Sequence, residues 1–322
     1  MLIPFIRKQQ SQASLFILIG FLVFSGLGFA FGSLDSSLGT ELGSQVISSF
    51  KGQRWLGFAL YFSLVYPLGI LLHRVSKEHF LSKFSEAWLP LFFIWPMTAF
   101  LVVLPLSIAH FALVFIGFSL WKLVRMYNAR RPHALVFDSG LLIGIAGILY
   151  TPSLVFLGLI WTAILIYQFS LWRYVLISLI GAFTPFFLSF TIGYVFNLPN
   201  QELFPEFELE FSFHKIPLLH WTLWPYLVVS SFLLITSSLI LLKKLAIKKI
   251  RERKAFSLVL MLLLISILSM GLPGIHLAQA AQWLILPASF IYSNYFAYEP
   301  ANLKNQAFLW LWMIALIVLL FA

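Results

Sequence analysis

The chain has 322 residues, of which 61% are hydrophobic and only 10% charged, with a mean hydropathy of +0.95. A water-soluble domain needs far more polar surface than this, so most of the chain must face lipid or other buried helices. The formal charge of +10 would suggest nucleic acid in a soluble protein, but here the cations fall between apolar runs; the absence of cysteine excludes disulfides, zinc–thiolate sites and iron–sulfur clusters.

The first apolar run, about 15–32, follows Arg7 and Lys8 and has no convincing cleavage site after it, so it reads as an uncleaved first helix. The segment 33–54 is rich in Gly and Ser and reads as an external loop or a short interfacial helix; it carries Asp35 and Glu41. Further runs cover about 55–72, 88–104, 106–122, 134–150, 153–168 and 174–196. A second external loop, 197–221, contains FELEFSF, whose period of two suggests a short strand or an extended segment on the membrane surface. The last runs are about 222–242, 256–272, 275–297 and 306–321. The expectation is one all-α transmembrane domain of about eleven spans, with ten to twelve open, since each run must cross about 30 Å of hydrocarbon.

With the N-terminus in the cytoplasm, the basic residues fall inside except Lys51, Arg54 and Lys215, which is the bias that topology imposes on lysine and arginine. An odd number of spans then puts the C-terminus outside. The acids trend the other way: Asp35, Glu41, Glu202, Glu206, Glu208 and Glu210 fall outside, while Glu78, Glu86, Glu252 and Glu299 fall inside. The densest basic stretch, KKLAIKKIRERK (243–254), supplies Lys243, Lys244, Lys248, Lys249, Arg251, Arg253 and Lys254. It reads as a cytoplasmic helical extension touching anionic lipid head groups.

Asp138 lies in the fifth run, seven residues beyond Arg131. An acid within a membrane helix is a functional suspect. Near the first or second helical turn, however, the helix dipole favours it and Arg131 or His133 can pair with it. Gly140 and Gly144 form G-x-x-x-G, and with Gly147 they make a flat face for close packing, more naturally within the chain than in a dimer. TPS at 151–153 turns the fifth helix into the sixth, and Pro96, Pro185 and Pro287 predict kinks. His110 and His276 lack the partners of a metal site, and His110 reads as a buried, hydrogen-bonded residue. His276, Gln279 and Gln282 share a face and either line a groove or bond to neighbouring helices. No motif implies a cofactor.

The block HALVFDSGLLIGIAGILYTPSLVFLGLIW with LWRYVLISLIGAFTPFFLSFTIGYVF resembles a family of uncharacterised polytopic inner-membrane proteins of Bacteroidota. That resemblance implies a Gram-negative inner membrane. More distantly, DSGLLIGIAGILYTPSLVF and RYVLISLIGAFTPFF look like helix pairs of polyprenyl-phosphate-dependent membrane glycosyltransferases. The second likeness implies a polyprenyl-phosphate lipid as partner and an acidic base in the first external loop. Asp35 and Glu41 are the available acids there, with Arg54 or Lys51 near the phosphate, but the usual paired acidic motif is missing. Three functions follow from this reading. The leading one is a non-catalytic inner-membrane subunit of an envelope-biogenesis or protein-export assembly, in contact with anionic lipid and other membrane proteins. The second is the glycosyltransferase. The third is a small-solute transporter using Asp138 and the His276 stripe.

Overall fold

The computed structural model describes residues 3, 10–31, 53–78, 88–103, 106–127, 129–196, 223–271, 282–300 and 302–319. Among them are eleven α-helices: α1 Gln10–Phe31, α2 Arg54–Glu78, α3 Trp88–Val103, α4 Ile108–Met126, α5 Pro132–Leu149, α6 Leu157–Tyr167, α7 Leu171–Val195, α8 Leu223–Leu245, α9 Ile250–Ser269, α10 Ile285–Tyr298 and α11 Leu303–Leu319. A 3₁₀ segment, Thr151–Phe156, joins α5 to α6, and there is no strand among the described residues. The 33–52 and 197–221 loops, with FELEFSF, lie outside them.

Every apolar run predicted from the sequence holds one of these helices. Among the described residues five stretches, fewer than the eleven spans expected, are long and apolar enough to cross a membrane: Trp55–Arg74, Ile108–Met126, Pro132–Leu149, Leu171–Val195 and Leu223–Leu245. Four others, Ser14–Ala30, Trp88–Leu101, Thr151–Tyr167 and Leu303–Leu319, are apolar but shorter.

Contacts along the helices show their directions. On α2 and α4, Tyr61 meets His110 and Phe111 while Leu68 meets Gly117, so both helices advance together. The α5 glycines Gly140 and Gly144 meet Ser178 and Ala182 of α7, again in step. On α8 and α11, Tyr226 faces Trp312 and Phe232 faces Phe308, so this pair runs oppositely.

One end of the bundle gathers the helix ends that carry cations. Tyr127 after α4 meets Tyr167 of α6 at 5.6 Å between ring centroids, and His133 stacks on Tyr174 at 5.3 Å. Lys254 of α9 lies 4.8 Å over the Tyr127 ring, Lys244 of α8 pairs with Glu299 after α10, and Trp88 at the start of α3 stacks on Phe296. This basic end holds Lys122, Arg125, Arg130, Arg131, Arg173 and the 243–254 stretch, whereas Arg54 opens α2 at the other end.

Two kinds of packing hold the helices. Between α5 and α7 the backbones touch. A Cβ on Gly140 would sit 2.3 Å from the Ser178 carbonyl oxygen, one on Gly144 2.3 Å from that of Ala182, and one on Gly181 2.4 Å from that of Phe137. The glycine face is therefore occupied within the chain. Around α3, large rings interlock instead: Phe92 contacts Trp88, Tyr292, Phe296 and Trp312 at 4.8–6.0 Å. Hydrocarbon gives no hydrophobic drive between helices, so such van der Waals fit must supply the association.

Local details depart from the sequence reading. Pro287 falls in the first turn of α10, just after a turn at Leu284 that separates it from the helical residues Gln282 and Trp283. Pro96 and Pro185 do lie inside α3 and α7, and Pro67 inside α2. The sixth run starts as 3₁₀ because Tyr150 is extended and Pro152 sits in the first turn after it. Helix α6 ends at Gln168, whose φ of 61° is left-handed, a conformation that costs a non-glycine residue roughly 1–2 kcal/mol.

Replacing Gly144 with alanine should push α5 and α7 apart and destabilise the purified protein by about 1–3 kcal/mol. Gly26→Ala is the control, since nothing lies within 4 Å of a Cβ there. Thermal unfolding in detergent reads the difference, and equal midpoints for the two variants would contradict the seam.

Candidate functional site

The sequence candidates separate into three places. Asp35, Glu41, His276 and Gln279 lie outside the described residues. Asp138 and the basic stretch occupy the basic end, and Gln282 is buried near the opposite end, beside the start of α10.

Asp138 sits in the second turn of α5, which begins at Pro132. Its carboxylate accepts a hydrogen bond from Lys122 Nζ at 2.8 Å, with the two side chains 42% and 26% exposed respectively. The partner is thus neither Arg131 nor His133. The apolar run 106–122 predicts a fourth helix that ends at Lys122; α4 instead runs to Met126, which sets Lys122 on its last turns facing α5. The Ser119 hydroxyl donates to the Ser139 carbonyl at 3.3 Å beside it, and His133 is engaged with the Tyr174 ring. The geometry is that of a clasp between two helices.

The basic stretch is two helix ends and a turn rather than one helical extension. Helix α8 stops at Leu245, N–H groups of Ile247 and Lys248 reach back to the carbonyls of Lys244 and Leu245, and α9 starts at Ile250. Lysines 244 and 248 are spaced i, i+4, so a continuous helix would set like charges side by side. In the turn, Lys248 lies 4.3 Å over the Tyr298 ring and 4.6 Å over that of Phe256. Burial pulls its pKa below the ordinary lysine value, Glu252 opposes that shift and Lys244 adds to it. Lys244, Lys248 and Lys254 thus engage the protein's own Glu299 and aromatic rings.

His110 is buried at the start of α4, where its Nδ1 accepts from the Ser107 N–H at 3.2 Å and its ring meets Tyr61 edge-on at 5.5 Å. The sequence suggested a buried, hydrogen-bonded histidine; Nδ1 fits that, while Nε2 is buried without a partner. Among the described residues no group of three His, Cys, Asp or Glu side chains could hold a metal ion.

Gln282 belongs to a corner that the sequence disclosed only in part. Trp283 packs edge-on against Tyr150 at 5.8 Å and Phe156 at 5.0 Å, joining α10 to the end of α5 and the 3₁₀ segment. In that corner Tyr150 OH, Ser153 Oγ, Gln282 Nε2 and Trp283 Nε1 are buried without a hydrogen-bond partner. All four can donate, and buried donors normally find an acceptor. Tyr150, Ser153 and Trp283 carried no signal in the sequence, because hydroxyl and indole groups in apolar runs look like ordinary packing residues.

No family model, curated protein or solved structure matches this chain.

If the Asp138–Lys122 pair is a clasp, each of Asp138→Asn and Lys122→Met should cost up to about 1 kcal/mol, as for a partly exposed ion pair. The double variant should then cost less than the sum of the two. A thermodynamic cycle on the purified protein reads this, and strict additivity would contradict the pairing.

Proposed function

We propose that this chain is a polytopic protein of a Gram-negative inner membrane, with the start of α1 and the basic end in the cytoplasm. There it works as a non-catalytic subunit or scaffold of an envelope-biogenesis or protein-export assembly. The observation that carries the reading is the outer face of α7. This helix has 25 residues and no charged side chain after Arg173, and only 22% of its most apolar window is buried. Ile180, Phe183, Phe187 and Ile192 are each more than half exposed. A hydrocarbon surround makes such a face stable, and a basic end left at the cytoplasmic surface agrees with the known bias of lysine and arginine.

The subunit reading draws on the same helix. Leu179, Ile180, Phe183, Thr184 and Phe187 line an open depression of about 530 Å³. Their spacing follows one side of the helix, and the Thr184 hydroxyl is turned back onto the Ile180 carbonyl at 2.7 Å, leaving an apolar floor. A spanning helix of another protein could seat its side chains there. By contrast, the Asp138 carboxylate that a transporter would use is tied to Lys122.

A photo-crosslinking residue placed at Phe183 in the native membrane should give a discrete adduct with another polypeptide. The same residue placed at Ile235 of α8, which is 60% exposed, should yield lipid adducts. Lipid adducts alone at both positions would contradict the subunit reading.

A further inference from the structure

A second, more enclosed space lies between α3, α8 and α10, closed at one end by Met270 beyond α9. Its volume is about 120 Å³. Helical interiors are packed to the density of organic crystals and leave few voids larger than a water molecule, so a space this size within a well-filled aromatic region is out of the ordinary.

The walls are the rings of Phe92, Phe100, Tyr226 and Tyr292 with the side chains of Leu227 and Ala288. The Tyr292 hydroxyl donates to the Ser230 carbonyl at 2.6 Å and so is turned onto α8. Ser230 Oγ, like Ser238 Oγ, differs from three other hydroxyls of that helix. Ser231, Thr236 and Ser237 each bond a carbonyl three or four residues back. Ser230 Oγ also lines the space, buried and within reach of the Tyr226 and Tyr292 hydroxyls but without a close hydrogen bond. The exposed Ser231 forms part of the lining as well, so the space reaches the lateral surface of α8.

A cavity with apolar walls stays dry and takes up apolar molecules of matching size. Where the surround is bilayer hydrocarbon, the chains next to the opening are the acyl chains of lipids. The geometry points to a binding site for the end of one hydrocarbon chain of a membrane lipid, entering laterally past Ser231 and lying against Phe92, Phe100 and Tyr292. This inference rests on the membrane reading given above.

The test uses the full chain reconstituted in a bilayer of phosphatidylethanolamine and phosphatidylglycerol that contains a phospholipid with a diazirine on its acyl chain. After illumination, adducts are mapped by peptide mass spectrometry. Expected are adducts at Tyr226, Leu227 or Ser231 and, independently, at Ile314 of α11, which is 53% exposed. Ala288→Leu fills the space from within and Ser231→Trp blocks its mouth; in each variant the α8 adducts should be lost while those at Ile314 persist. Two independent variants guard against a packing defect in either one. Adducts at Ile314 with none on α8, or α8 adducts that survive both substitutions, would overturn the chain site and leave the membrane reading intact. Absence of adducts at Ile314 as well would overturn both.

Discussion

Hydrocarbon offers no partner to a backbone N–H or C=O, so each segment within it must satisfy its own polar groups. A chain whose helices are long and apolar enough to cross a membrane is subject to that constraint. Many of its helical hydroxyls turn back onto carbonyls of their own helix, as Thr98 does toward Ile94, Ser139 toward Leu135, Thr191 toward Phe187 and Ser289 toward Leu286. Ionisable groups are pushed to the helix ends, where they meet one another or the edge of an aromatic cluster. Lys122 with Asp138 and Lys244 with Glu299 are the two described ion pairs, and both lie at the basic end.

Once the helices are internally satisfied, shape decides how they associate. The chain uses two solutions. Along α5 and α7, glycines remove side chains and let backbones meet, with Gly140 and Gly144 on one helix answered by Gly181 on the other. Around α3, bulky rings fill the space, and Trp88, Phe92, Trp312 and Phe296 are almost fully buried. The glycine seam leaves α7 at the edge with its outer side open; the aromatic cluster leaves one space unfilled beside Ser230. Both features arise from how side-chain volume is distributed, and both are where the proposed partners would bind.

Much of the helical order could be read from the sequence because runs of apolar residues bounded by cations and prolines locate helices directly. The Gly140–Gly144 face and the turn at Pro152 were also legible, since each rests on local backbone chemistry. Helix ends were harder. The sequence offers no residue that stops α4 at Lys122 or continues it to Met126, and that difference of one turn hid Lys122 as the partner of Asp138. The break in the 243–254 stretch was equally obscure, because it contains neither glycine nor proline and depends on Tyr298 and Glu299 arriving from α10. Long-range meetings such as Tyr150 with Trp283 leave no periodic trace at all.

The central claim is that the basic end faces the cytoplasm and the opposite end the far side of the membrane. A chain with no cysteine allows this to be tested directly with single substitutions. Ile247, 87% exposed in the basic turn, and Gln53, exposed just before α2, mark the two ends. In intact spheroplasts a membrane-impermeant maleimide should modify Gln53→Cys at once and Ile247→Cys only after the membrane is permeabilised. Modification of Ile247→Cys in sealed spheroplasts, with Gln53→Cys protected, would contradict the account.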